Sequence, residues 1–167
     1  MGIRILALDT SLTKSGWVVL SVHERKATVV EYGLIKSNAK LTDGERLRQI
    51  HAGIIAILDK HPDIHSVIPI EDGIVRFNTA TKQIAKARGV IEFSLVNYLL
   101  EPINIATVKA WARKYTNSPS SRKDKLMISE AVSDYFGLDE IQHNKGGDVS
   151  DSMAVGLVYL KREGVID

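Results

Sequence analysis

An almost wholly apolar segment near the start of the chain, from Ile3 to Leu20, is interrupted by one aspartate, Asp9. The residues from Ile3 to Leu8 are apolar except for Arg4, and a second apolar run begins at Gly16 after a short polar stretch. These runs predict two buried strands joined by a tight turn. A lone carboxylate at the end of a buried strand is costly to desolvate, so Asp9 must be hydrogen-bonded, paired or bound to a cation.

Apolar periodicity along the rest of the chain predicts three strands, a helix, and then alternating strands and helices. Thr42 and Glu45 form a capping box that begins the first helix, and Pro62 ends it. A mid-helix glycine costs roughly 1 kcal/mol, so we expect Gly89 to permit close packing. Pro69 indicates an edge or irregular strand. The predicted strands are 3–8, 16–22, 27–35, 67–70 and 103–105, and the later helices are 79–100, 107–115, 123–136 and 150–162.

This order of elements predicts an α/β fold. A three-stranded meander followed by right-handed crossovers gives a mixed five-stranded sheet flanked by helices on both faces, the ribonuclease H-like arrangement. A chain of 167 residues fits a single domain, 1–167. No window approaches 18 uncharged apolar residues, and the N-terminus lacks a secretory signal, so we expect a cytoplasmic protein without a membrane partner.

Four acidic residues lie where the predicted elements begin or end. Asp9 and Glu71 close two parallel strands, which would bring both to the same edge of the sheet. Asp148 and Asp151 lie three residues apart at the start of the last helix and can share a face. Clustered carboxylates raise one another's pKa unless a cation compensates their charge. The chain has no cysteine, so we predict a Mg²⁺ site made of oxygen ligands, with two ions roughly 4 Å apart for phosphodiester hydrolysis.

Each acid also has a purely structural explanation. Asp9 can accept backbone hydrogen bonds in a turn. Glu71 can mark the end of a strand, with its neighbour Asp72 as the ligand instead. Asp148 and Asp151 together resemble an N-cap followed by an acid in the first helical turn. The combination favours a metal site, because the predicted topology places all of these acids at one sheet edge.

The segment 109–125 is strongly basic, with one acid, Asp124, and two aromatic residues, Trp111 and Tyr115. Basic side chains interleaved with rings are typical of nucleic-acid binding. A solvated helix face followed by a loop explains the composition equally well, and a net charge of +2 does not decide between them. The basic residues are Lys109, Arg113, Lys114, Arg122, Lys123 and Lys125.

Four blocks of sequence, in order, resemble the RuvC-type Holliday junction resolvases, including their phage-encoded branch. The blocks are "LALDTSLTKSGWVVL", "IPIEDG", "AKARGV" and "GDVSDSMAVGL". The resemblance covers nearly the whole chain and implies a homodimeric endonuclease for DNA recombination and repair. Such an enzyme nicks four-way DNA junctions with Mg²⁺ or Mn²⁺ and leaves 5′-phosphates. By motif position it implies metal ligands at Asp9, Glu71, Asp148 and Asp151, and DNA contacts at Lys109 and Lys123.

The chain departs from the family pattern after the glutamate. The family often places an aromatic residue within three positions, where it inserts at the junction, whereas here that position holds Ile74 and Phe77 follows three residues later. Both are candidate DNA contacts, and the departure bears on junction opening and cut-site preference. His143 is a candidate ligand or general base, with a solvated loop histidine as the alternative.

Other functions remain open on the sequence alone. A catalytically silent branched-DNA-binding module would keep the basic surface while the acids only cap and turn. A ribonuclease H-like nuclease acting on RNA–DNA hybrids would share the acidic site. A sugar-kinase or chaperone-type ATPase is disfavoured, because "DTSLTKSG" has a single glycine where those enzymes need a glycine-rich phosphate loop.

Overall fold

A computed structural model describes residues 2–72, 79–119, 122–138 and 147–167. In these ranges the chain forms one sheet with helices packed on it. The strands are β1 (Ile3–Asp9), β2 (Lys14–His23), β3 (Lys26–Lys36), β4 (Val67–Asp72) and β5 (Leu99–Asn104). The helices are α1 (Asp43–Lys60), α2 (Thr79–Ser94), α3 (Ile105–Thr116), α4 (Asp124–Phe136) and α5 (Asp148–Arg162).

The sheet has five strands in the order β3-β2-β1-β4-β5. The pairs β1–β2 and β2–β3 are antiparallel, and the pairs β1–β4 and β4–β5 are parallel. The predicted mixed five-stranded α/β fold is therefore confirmed. None of the helices within the described ranges is long and apolar enough to cross a membrane.

Two apolar layers cover the two faces of the sheet. Alternate residues of a strand point to opposite faces. Leu6 and Leu8 of β1 pack with α1 and α2, whereas Ile5 and Ala7 pack with α3, α4 and α5. The same alternation places Asp9 on the face that α5 covers. Helices therefore flank both faces, as the sequence predicted.

The predicted capping box at the start of α1 is confirmed. The side chain of Thr42 accepts a hydrogen bond from the backbone N–H of Glu45 at 3.4 Å, and the Glu45 carboxylate accepts one from the backbone N–H of Thr42 at 2.9 Å. This reciprocal pair satisfies two amides that a helix start leaves without intrahelical partners.

The predicted extent of the second helix, 79–100, is wrong. Helix α2 ends at Ser94, and the backbone N–H of Tyr98 donates to the carbonyl of Leu95 at 2.8 Å in the turn that follows. Strand β5 then begins at Leu99, four residues before its predicted start at Ile103. Pro102 argued against a strand at this position in the sequence. The strand accommodates this proline because β5 lies at the edge of the sheet. The other boundaries agree with the predictions within two residues.

The edge alternative for Pro69 and the close-packing role predicted for Gly89 are also wrong. Pro69 does not lie in an edge strand, since β4 runs between β1 and β5. The β1–β4 pairing is registered only at Leu8 and Ile70 among the described residues, which is consistent with an irregular ladder beside a residue without an N–H. Gly89 is exposed, and a β-carbon there would meet no described atom within 4 Å, so it does not serve close packing.

Gly16 is a close-packing glycine at the edge of the sheet that carries Asp9. A β-carbon at this position of β2 would lie 1.9 Å from the carbonyl oxygen of Asp148 and 2.4 Å from its carbonyl carbon. Both atoms belong to the backbone at the start of α5, so they cannot move away as a flexible side chain would. Glycine therefore sets how closely the acidic start of α5 approaches the sheet.

Substitution of Gly16 by alanine is expected to destabilise the protein by about 2 kcal/mol or more, because the added methyl group forces strand and helix apart. Gly89→Ala is the matched control, and we expect it to stabilise α2 by about 0.5–1 kcal/mol. Urea unfolding curves of both variants measure these changes. Equal effects of the two alanines would contradict the packing role assigned to Gly16.

Candidate active site

Three carboxylates from distant parts of the chain meet at the carboxyl edge of β1 and β4. Asp9 ends β1, and Glu71 is the residue after Ile70, which is registered opposite Leu8. Asp151 lies in the first turn of α5 and is only 8% exposed. One carboxylate oxygen of each acid lies within 4.8 Å of the others. We call Asp9, Glu71 and Asp151 the acidic cluster.

Asp148, the fourth predicted acid, lies beside the acidic cluster rather than in it. Its Oδ2 atom is 2.8 Å from the ammonium nitrogen of Lys14, the first residue of β2. Its negative charge nevertheless raises the pKa of Asp9, Glu71 and Asp151. Asp148 therefore acts on the acidic cluster electrostatically while its own carboxylate is paired.

The start of α5 excludes the interpretation of Asp148 as an N-cap. The N-cap is Gly147, in the left-handed region with φ 87°, and a glycine has no side chain with which to cap the helix. A β-carbon on Gly147 would lie 3.3 Å from Oδ2 of Asp151 and 3.7 Å from Nζ of Lys125. Glycine thus suits both the backbone conformation and the narrow space beside the acidic cluster.

Two hydrogen bonds between Ser11 and Ser15 close the turn that follows Asp9. The Ser15 hydroxyl accepts a hydrogen bond from the backbone N–H of Ser11 at 2.9 Å and donates one to the Ser11 carbonyl at 2.7 Å.

Asp72, the alternative to Glu71, is exposed and is not part of the acidic cluster. Ile74, Phe77 and His143 lie outside the described residues.

Burial and mutual repulsion make the ionised state of the acidic cluster unfavourable. Burial, followed by the charges of Glu71, Asp151 and Asp148, raises the pKa of Asp9 well above its usual value. Burial and the Glu71 and Asp148 charges raise the pKa of Asp151 to about 7. Burial also raises the pKa of Glu71, while Lys109, Lys125 and a hydrogen bond from Asp9 oppose that rise.

Helices α3 and α4 each bring a lysine toward the acidic cluster. Lys109 and Lys125 both lower the pKa of Glu71 and Asp151, and Lys125 also lowers that of Asp9. Because the three pKa values remain raised, these two lysines compensate only part of the negative charge. The basic segment 109–125 is therefore adjacent to the acidic cluster.

Acidic neighbours pair with part of this basic segment. Lys109 and Arg113 both form ion pairs with Asp124, at 3.0 and 3.2 Å, and Arg122 pairs with Glu130. Lys114 and Lys123 are exposed, and Lys123 is the N-cap of α4.

The two aromatic residues of the segment contact each other rather than standing apart. Trp111 packs against the apolar layer on the α5 side of the sheet, and its ring centroid lies 5.6 Å from that of Tyr115. Tyr115 is 42% exposed. The predicted pair of rings is thus a pair in mutual contact, of which Tyr115 is exposed and Trp111 is partly buried.

Arg88 of α2 supports the site, and sequence reasoning did not identify it. Its guanidinium donates a hydrogen bond to the backbone carbonyl of Glu71 at 3.3 Å and pairs with Glu92 at 3.0 Å. This contact ties the end of β4 to α2. The only sequence signal was the block "AKARGV", which contains Arg88 but does not reveal its partner.

The acidic cluster fits a divalent metal ion of the Mg²⁺ type. Its oxygen atoms are the ligands that hard cations prefer. The raised pKa values of Asp9 and Asp151 show that the negative charge is incompletely compensated, and a divalent cation would supply the missing positive charge. These three residues form the candidate metal centre.

The fold and the acidic cluster define the class of ribonuclease H-like proteins with a carboxylate site. The sequence profile of the family "Crossover junction endodeoxyribonuclease RuvC" matches residues 5–159. The chain therefore belongs to the RuvC family of crossover junction endodeoxyribonucleases, and the family predicted from the sequence is confirmed.

Similar proteins cover nearly all of the chain. The RuvC endodeoxyribonuclease of Prochlorococcus marinus is 26% identical over 162 residues, which span 96% of this chain and 98% of the relative. That of Ehrlichia canis is 29% identical over 161 residues, 93% of this chain and 95% of the relative. The fold is similar to that of Thermus thermophilus RuvC in complex with a Holliday junction substrate, with a TM-score of 0.77, 16% identity and 98% coverage of both chains.

The raised pKa of Asp151 predicts how stability depends on pH when a chelator is present. Its pKa is about 7 in the folded protein against an ordinary 3.8, so the folded state binds more protons between these values. Stability should therefore fall as the pH rises from about 4 to about 7. Above pH 7, Asp151 is ionised and destabilises the folded state to its full extent. Asp151→Asn cannot ionise and should unfold about 3 °C or more above wild type at pH 8.

Differential scanning calorimetry in EDTA at pH 4 and pH 8 measures this difference. Asp59→Asn is the control, because Asp59 is an exposed aspartate on α1 and should leave the unfolding temperature unchanged. An Asp151→Asn variant no more stable than wild type at pH 8 would show that the acidic cluster carries no such repulsion.

Proposed function

We propose that this chain is a structure-selective DNA endonuclease that resolves four-way junctions by metal-dependent hydrolysis of a phosphodiester bond, leaving 5′-phosphates. The observation that carries the proposal is the meeting of Asp9, Glu71 and Asp151 within 4.8 Å. Membership of the RuvC family of crossover junction endodeoxyribonucleases supports it. We propose further that residues 1–167 form one nuclease domain.

The acidic cluster would hold Mg²⁺, with Mn²⁺ as a substitute, and Asp148 would contribute to a second ion when DNA is bound. Such ions activate a water molecule and stabilise the departing alkoxide. The protein holds the carboxylates in place through two parallel strand ends and the first turn of α5. Lys109 and Lys125 would attract the DNA phosphate to this edge, since they already act on Glu71 and Asp151.

The basic segment 109–125 would bind the DNA backbone next to the scissile bond. Its position beside the acidic cluster favours nucleic-acid binding over a merely solvated helix face. Lys114, Lys123 and Lys125 are accessible contacts because all three are exposed. Arg113, Arg122, Ile74 and Phe77 complete the proposed DNA contacts.

We also propose a homodimer, which would match the near two-fold symmetry of a four-way junction. Exposed apolar side chains at the end of α2 and the start of β5 support this proposal. Phe93 is 73% exposed, Val96 75% and Leu99 64%. Large apolar groups exposed together mark a surface that a protein partner can cover.

Loss of one acid should separate cleavage from binding. Asp9→Asn removes a proposed metal ligand, so we expect nicking of a synthetic four-way junction in Mg²⁺ to fall by more than about 100-fold. Junction binding should remain near normal, because the basic segment is intact. Gel assays of nicking and of mobility shift measure the two quantities, and Asp59→Asn should behave as wild type.

The same assay distinguishes the alternative functions. Junction binding by the wild-type protein without nicking at any concentration would support a silent DNA-binding module. Faster cleavage of an RNA–DNA hybrid than of the junction would support a ribonuclease. Substantial nicking by Asp9→Asn would contradict the proposed site.

Removal of a phosphate contact should weaken binding in a salt-dependent way. Lys123→Ala is expected to reduce junction affinity and to lower the slope of log affinity against log salt by about one unit. Fluorescence anisotropy titrations over a range of NaCl concentrations measure the slope. Lys161→Ala, at the far end of α5, should keep the wild-type slope, and equal slopes for all three proteins would count against the proposed surface.

Disruption of the exposed apolar surface should yield monomers. Phe93→Ser is expected to weaken the dimer, because it removes a large apolar side chain from the proposed contact. Light scattering coupled to size-exclusion chromatography measures the mass. Val30→Ser, on the opposite edge strand β3, is the control and should stay dimeric. A wild-type mass of one chain would refute the dimer proposal.

A further inference from the structure

The ion pair of Lys14 with Asp148 belongs to the contact between β2 and α5. The ammonium nitrogen lies 2.8 Å from Oδ2 of Asp148, and the two side chains are 29% and 20% exposed. Gly16, two residues further along β2, touches the backbone of Asp148 and fixes the separation of strand and helix. The pair is thus partly shielded from solvent. Its two residues belong to a strand and a helix whose backbones are in contact, so the pair is less mobile than an ordinary surface pair.

Lys14 is placed differently from the other lysines near the site. Lys109 and Lys125 act on members of the acidic cluster, whereas Lys14 directly contacts the acid beside it. A carboxylate oxygen that accepts a hydrogen bond from an ammonium has less capacity left for a metal ion. The ammonium also repels a divalent cation at short range. A cation that uses Asp148 as a ligand must therefore compete with Lys14.

We propose that Lys14 is a positioning residue that sets the affinity of the cation using Asp148. This inference rests on the proposed metal-dependent function. A DNA phosphate entering the site offers the ammonium a second anionic partner, so DNA binding would release the Asp148 carboxylate for the cation. Substrate and cation would then strengthen each other's binding, as thermodynamic linkage requires.

Mn²⁺ binding to the DNA-free protein, followed by electron paramagnetic resonance of unbound Mn²⁺, tests the proposal without relying on activity. Lys14→Gln removes the ammonium, so the more weakly bound Mn²⁺ should bind roughly tenfold more tightly than in wild type. Lys14→Arg keeps the charge and should retain the wild-type affinity. Lys36→Gln is the matched control, because Lys36 is registered opposite Lys14 on β3, and its effect should be less than about twofold.

Unchanged or weaker Mn²⁺ binding in Lys14→Gln would overturn the inference, and so would an equal gain in Lys36→Gln. Either result leaves the proposed function standing if the wild-type protein binds Mn²⁺ and nicks the junction. Failure of the wild-type protein both to bind Mn²⁺ and to nick would overturn the proposed function as well. In the supporting case, the Mg²⁺ concentration for half-maximal nicking should also fall in Lys14→Gln and stay unchanged in Lys36→Gln.

Discussion

Repulsion among partly or fully buried carboxylates is the constraint on which the rest of this structure depends. Asp9, Glu71 and Asp151 approach within 4.8 Å although burial and like charge oppose their ionisation. A fold does not retain such an arrangement for its stability, since uncharged residues would pack there at lower cost. The positive charges of Lys109 and Lys125 reduce this repulsion without removing it. The acidic cluster is therefore a site prepared for additional positive charge.

The scaffold produces this arrangement by simple means. The parallel register of Leu8 with Ile70 brings Asp9 and Glu71 side by side. The absence of a side chain at Gly16 lets the start of α5 come close enough to add Asp151. Arg88 then ties the backbone of Glu71 to α2 on the opposite face of the sheet. Each acid is thus held by an element whose position the core determines.

The sequence predicted those features that depend on local pattern. The apolar run before Asp9 and the capping box at Thr42 are local signals, and both were interpreted correctly. The carboxyl-edge position of Glu71 followed from the order of strands and helices. The meeting of Asp9 with Glu71 and Asp151 could therefore be anticipated from topology.

The remaining features depend on contacts between residues distant in sequence. The end of the predicted helix 79–100 was placed too late in the chain, because Leu99 fits a helical period as well as it fits a strand. Gly89 and Gly16 look alike in sequence, yet only Gly16 faces a backbone carbonyl. The partners of Lys14 and Arg88 lie far away along the chain, so no local pattern reveals them. Tertiary packing therefore determines where α2 ends, which glycine is closely packed, and which partners Lys14 and Arg88 contact.

Anomalous diffraction from crystals soaked in Mn²⁺ tests the central claim most directly. We predict a strong anomalous peak within coordination distance of carboxylate oxygens from Asp9, Glu71 and Asp151, absent from crystals of Asp9→Asn. A soaked crystal without a peak at the acidic cluster, or with Mn²⁺ bound only elsewhere, would contradict the account.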